Sequence, residues 1–170
     1  MTDAGKPRKD GFVLVVALLI VGIVAVMVAG SLVLSMTNKQ INRNDALTSQ
    51  VLNVAQGGNA YWKAELVSLY EFMANNFELY EAAINQYEAS GGVISCGNYF
   101  AIGLDLDRDG TIDYANNPNN PTALPAVNIP IGSSSGTSTT KFSVVGSAIR
   151  LEGIGELSDA KSTVIEEFNI

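Results

Sequence analysis

The densest chemistry in the chain is the run Asp105-Leu106-Asp107-Arg108-Asp109-Gly110-Thr111-Ile112-Asp113. Counted from Asp105, carboxylates fall at loop positions 1, 3, 5 and 9, a glycine stands at position 6, and Thr111 at position 7 offers its backbone carbonyl. A hard cation such as Ca²⁺ takes about six to eight oxygen ligands, and this spacing presents them on one short loop. The four carboxylates also repel one another unless a cation offsets them. The expected ligands are therefore Asp105, Asp107, Asp109, Thr111 and Asp113, and the expected cofactor is Ca²⁺. Position 12, which in loops of this spacing carries a bidentate acid, holds Asn116 and implies weak affinity. A plainer alternative is that residues 102–106 and 111–114 are two strands joined by a turn at Asp109-Gly110.

Little else in the chain suits a reaction. Its 170 residues contain no histidine and one cysteine, Cys96. That removes the Ser/His/Asp triad, the Cys/His dyad, zinc sites of the usual kind and any internal disulfide. No enzymatic role is expected. Residues 45–170 hold 15 acidic and 5 basic side chains, a net of −10. Such a surface has no footprint for a phosphate backbone, so direct nucleic-acid binding is not expected, and it avoids anionic lipid.

The elements that must position the acidic loop follow from periodicity. Leu47, Val51, Val54, Gly58, Trp62, Leu66, Leu69, Met73, Phe77, Tyr80, Ile84 and Tyr87 recur at steps of three and four. This is one face of an amphipathic helix over residues 37–90, on which a sheet packs. Its other side carries Glu65, Glu71, Glu78, Glu81 and Glu88, a solvated face. Gly57-Gly58 lies in phase within it and predicts a kink, each glycine costing ~1 kcal/mol relative to alanine. Ser90-Gly91-Gly92 predicts the stop. Beyond it, residues 93–96 and 99–102 read as β segments. Pro118, Pro121, Pro125 and Pro130 mark an irregular connection, and Gly132 to Thr140 reads as a polar loop. Residues 141–149 and 163–168 alternate as paired antiparallel strands, joined through Ser158-Asp159-Ala160. The fold class expected is α+β, a long N-terminal helix packed on a small antiparallel sheet, with residues 91–170 forming the β-rich globular part.

Ahead of the amphipathic stretch, Phe12 to Met36 runs 25 residues without a charge. As a helix it would cover ~37 Å, enough to cross a bilayer core of ~30 Å with some tilt. The run exceeds the ~7–15 apolar residues of a cleavable secretory signal. Residues 1–11 carry Lys6, Arg8 and Lys9, and the far flank carries Lys39 and Arg43. A short cytoplasmic tail, a single membrane span and an ectodomain outside the cytoplasm are expected.

The junction Lys6-Pro-Arg-Lys-Asp-Gly11, followed at once by Phe12-Val-Leu-Val-Val-Ala-Leu-Leu19, resembles the leader of type IV pilins and pseudopilins. The resemblance implies that a prepilin peptidase cuts after Gly11 and that Phe12 becomes the N-methylated first residue. The fifth mature residue of that family is usually glutamate, and here it is Val16. This departure points away from a major subunit and toward tip pseudopilins and PilX-type minor pilins. Gln50 to Leu66, with Ala55-Gln56-Gly57-Gly58, is similar to the Ala-Glu-Ala-Gly segment that follows the membrane helix in PilX-type proteins. Residues 141–170 are similar to their strand-turn-strand ending. The resemblance covers residues 6–66 and 141–170. It implies a structural subunit stored in the inner membrane and assembled into a type IV pilus or a secretion pseudopilus. Its partners would be other pilin subunits through the helix, the prepilin peptidase and the inner-membrane assembly platform, and its role assembly, adhesion or competence. A reading outside that family is a signal-anchored extracytoplasmic calcium-binding or adhesion module.

Overall fold

The structure is a computed structural model that describes residues 9–94, 99–145 and 147–169. One α-helix, α1, spans Lys9–Asn75. The chain divides into two compact units, Met1–Asp45 and Ala46–Ile170.

In the first unit every described side chain from 12 to 45 is exposed, including all of the apolar run from Phe12 to Met36. The hydroxyls of Ser31 and Thr37 donate to the carbonyls of Met27 and Val33, each at 2.9 Å. Both polar groups are thereby satisfied within the helix, as a lipid setting demands. By length and composition this helix is able to cross a membrane.

The second unit is α+β, as expected. Its core residues on α1 are Val51, Val54, Ala55, Trp62, Leu66, Leu69 and Met73. They pack on five antiparallel strands: β1 (Thr122–Ala123), β2 (Val127–Ile131), β3 (Ser134–Val145), β4 (Ala148–Leu157) and β5 (Ala160–Phe168). The order is β1-β3-β4-β5, with β2 also paired to β3. On the buried face the cross-strand pairs run Ser138·Gly155, Thr140·Gly153, Phe142·Leu151 and Val144·Ile149. Side-chain size thus grows along both strands from one end to the other. At the small end the helix backbone sits almost on the sheet: a Cβ on Gly155 would lie 2.5 Å from the Val51 carbonyl oxygen, and one on Gly153 2.7 Å from that of Ala55. At the large end Phe142, Leu151 and Ile149 fill the wider gap together with Leu66, Met73, Tyr80 and Phe100.

Several expectations are corrected by this packing. The helix runs through Gly57-Gly58 without a break, as its in-phase stripe implies, and Gly58 serves as a point of close approach, where a Cβ would meet Ser138 Cβ at 2.5 Å. Helix α1 ends at Asn75, and Phe77–Tyr80 form a 3₁₀ turn before α2 (Glu81–Ala89). The tighter turn rotates Phe77 into solvent while Tyr80 stays buried. The stop after Ser90 holds, with Gly91 at φ +88°. Tyr99–Ala101 is a 3₁₀ turn, not a strand, and it buries Phe100. Residues 134–140, read as a polar loop, are the first half of β3. On the buried face Gly136, Ser138 and Thr140 are small because the helix leaves no room for larger residues, while Ser134, Ser135 and Thr137 are exposed. Residues 141–149 are not one strand but the end of β3 and the start of β4. Pro130 belongs to β2, which pairs on one side only, where a missing N–H is tolerated. The β4–β5 turn falls at Ser158-Asp159, as expected. Residues 95–98, with Cys96, lie outside the described residues.

Candidate cation-binding loop

The acidic run folds into a loop clamped at its base by a bridge between Leu104 and Tyr114. Leu104 N–H donates to the Tyr114 carbonyl at 2.9 Å, and Tyr114 N–H returns to Leu104 at 3.0 Å. The two-strand alternative is therefore present as a single bridged pair, and the residues between close as a polar loop. Arg108 at φ 63° and Gly110 at φ 92° supply the two left-handed positions that turn the chain back.

Asp105 organises the interior of the loop. Its side chain is fully buried, and Oδ1 accepts the N–H groups of Arg108 at 2.7 Å and Asp109 at 3.2 Å. Oδ2 accepts the N–H of Gly110 at 2.8 Å and the hydroxyl of Tyr80 at 2.6 Å. Burial works against ionisation, but the hydrogen bonds from Tyr80 and the loop N–H groups outweigh it and hold the Asp105 carboxyl below the usual carboxylate range. Tyr80 responds in the opposite sense. Burial, and then the bond to Asp105, push its phenol well above its ordinary value and keep it protonated.

The structure brings the carboxylates of Asp105, Asp107 and Asp109 together, with one oxygen of each lying within 4.8 Å of the others. Reduced hydration and the neighbouring Asp105 carboxylate raise the Asp107 carboxyl above its ordinary value, and the charges of Asp109 and Asp113 add to the effect. Asp113 stands outside the trio, one oxygen accepting the Leu106 N–H at 2.8 Å. Thr111 N–H donates to Asp109 Oδ1 at 2.7 Å. Asn116, at position 12, is turned to the sheet: its Oδ1 accepts the Val144 N–H at 2.9 Å. In chemistry the donor set fits a hard divalent cation, since it is all oxygen and rich in negative charge. Asp105, Asp107 and Asp109 would hold it, and the ion would offset the repulsion among their carboxylates.

Two attachments outside the acidic spacing were not legible as functional in the sequence. Tyr80 belongs by periodicity to the core stripe, yet its hydroxyl is the buried donor to Asp105. Arg108 reaches across to α1, donating to Ser68 Oγ at 2.9 Å and lying 5.5 Å over the Phe72 ring. Beside the loop, α2 and residues 102–115 enclose a groove of 560 Å³, lined by Ala83, Gln86, Tyr87, Ile102, Thr111 and Ile112 among others.

Gly11 and Phe12 lie within α1, where Phe12 is exposed at the start of the apolar run. No protein-family model, curated protein or solved structure matches the chain.

Proposed function

We propose that the chain is a minor pilin or pseudopilin, a structural subunit that waits in the inner membrane and is then packed into a type IV pilus or a secretion pseudopilus. One observation carries this reading. A single helix is charge-free and exposed over residues 12–36, then amphipathic and packed on an antiparallel sheet from Val51 to Met73. Such a helix serves first as anchor and then, once extracted, as a filament element that buries its apolar face on neighbouring helices. The leader-like junction at Gly11-Phe12 supports the same reading, and Val16 in place of an acid assigns the subunit a minor position. The Asp105–Asp109 trio takes Ca²⁺ and stabilises the loop in this scheme.

The test is the intact mass of the protein purified from membranes of a host that carries a prepilin peptidase. A mature chain beginning at a methylated Phe12 is expected, and Gly11→Val should leave it uncut. A retained Met1 would overturn the reading in favour of a signal-anchored calcium-binding module, which the acidic loop alone supports. A start near Gly30 would mean ordinary secretion.

A further inference from the structure

The sheet ends in an edge whose sequence is complementary to itself. Among the described residues strand β5 pairs with β4 alone, in the register Leu157·Ala160, Gly155·Ser162, Gly153·Val164, Leu151·Glu166 and Ile149·Phe168, with the remaining residues between. Because the β4–β5 turn contains two residues, Leu157·Ala160 is a hydrogen-bonded pair, and such pairs alternate with non-bonded ones along an antiparallel ladder. It follows that the backbone groups of Lys161, Thr163, Ile165 and Glu167 point away from β4 toward the open edge. The side chains of these four residues are exposed, Ile165 at 52%. The strand is nine residues long and contains no proline or glycine. An edge of that kind is a template for another strand unless its charges forbid it.

Here the charges select one register. If a second β5 approaches antiparallel with Val164 facing Val164, Lys161 falls opposite Glu167 and Thr163 opposite Ile165, and the same pairs recur by symmetry. Moving the centre to Thr163 sets Asp159 against Glu167, and moving it to Ile165 leaves Lys161 without an acid. The centred register also continues a row already present on the outer face. Within one chain Glu156 pairs with Lys161 at 2.5 Å and Glu167 with Arg150 at 3.9 Å. Across the junction these become Glu156, Lys161, then Glu167 and Arg150 of the second copy, alternating in sign over four strands.

From this edge we propose that the occupant of β5 is a second copy of this chain, joined by antiparallel β5–β5 pairing about Val164 into one continuous sheet. The inference is independent of the filament reading, since it uses only the strand register and its charges.

Register-specific crosslinking of the full chain in detergent micelles tests it. On a Cys96→Ser background, Thr163→Cys and Ile165→Cys chains are prepared separately and oxidised alone or mixed. The mixture should give about tenfold more disulfide dimer than either chain alone, because only residues 163 and 165 meet. Adding Glu167→Lys should lower that yield about tenfold by replacing attractive cross-strand pairs with repulsive ones, and adding Lys161→Glu to the same chain should restore it. Equal yields from the single and mixed chains, no crosslinking at all, or loss without restoration would overturn the proposal. Association through the apolar helices alone gives the first of these outcomes, so it is not mistaken for pairing at β5.

Discussion

The loop derives its order from one buried carboxylate. Asp105 accepts four hydrogen bonds, from three backbone N–H groups and the Tyr80 hydroxyl. A carboxylate held below its ordinary pKa contributes stability above that value, which is lost as pH falls through the lowered one. A phenol held above 10.0 contributes below that value and loses its contribution as pH rises through the raised one. The pair therefore stabilises the fold between about pH 4 and pH 10. Tyr80→Phe should cost about 1.5–3 kcal/mol at pH 7, the range for a hydrogen bond to a charged group, and chemical denaturation across pH should show a shallower loss of stability above pH 10. Calcium, in the proposed reading, would act on the neighbouring oxygens. Millimolar Ca²⁺ should raise the melting temperature of the full chain by several degrees, and Asp107→Ala should abolish the rise while removing none of the four bonds that Asp105 accepts from Tyr80 and the loop N–H groups. No shift at millimolar Ca²⁺ would remove calcium from the account. The acidic spacing was legible because ligand chemistry depends on short intervals along the chain. Tyr80 was not, since its partner lies 25 residues away and its aromatic ring satisfies the core pattern equally well.

At the scale of elements, the contact between α1 and the sheet is set by what is missing. Gly58, Gly136, Gly153 and Gly155 let the helix backbone approach β3 and β4 until no further carbon fits. Gly155→Ala would place its Cβ 2.5 Å from the Val51 carbonyl oxygen and 2.6 Å from the Ala55 nitrogen, both backbone atoms that cannot rotate away. The expected cost is about 1–3 kcal/mol, read as a lower denaturation midpoint. Gly30→Ala meets nothing within 4 Å and should leave that midpoint unchanged. The same close approach explains the sequence reading of this region. A helical stripe from Val51 to Met73 was visible because its large apolar residues repeat at the helical period. The stretch from Ser134 to Thr140 was not visible as a strand, since its inward residues Gly136, Ser138 and Thr140 are kept small by the helix and its outward ones are polar, so the whole resembles a loop. Periodicity reports which face is buried only where burial favours large side chains. Residues 99–102 misled for the converse reason: Tyr99, Phe100 and Ile102 have strand-like propensities but were selected to fill the wide end of the core.

For the whole molecule, charge and apolar surface are divided between regions of the chain. Residues 12–36 carry no charge and are wholly exposed, while residues 45–170 carry a net of −10. Among the described residues, every member of the buried core lies at position 51 or beyond. The second unit thus has a buried core of its own, to which the described apolar run contributes no residue. A chain that begins at residue 37 should accordingly remain in the aqueous phase after detergent phase separation, whereas the full chain partitions with detergent. Its denaturation midpoint should match that of the full chain in micelles. Unfolding or aggregation of the shortened chain would mean that the first unit contributes to folding. An unchanged midpoint would mean that the apolar run is exposed in order to be covered by something other than the chain's own fold. In the function proposed above, lipid would provide such a cover before assembly and neighbouring helices would provide one within a filament. Replacing the first by the second would then require no rearrangement of the globular unit, because none of its described buried core residues lies in the apolar run.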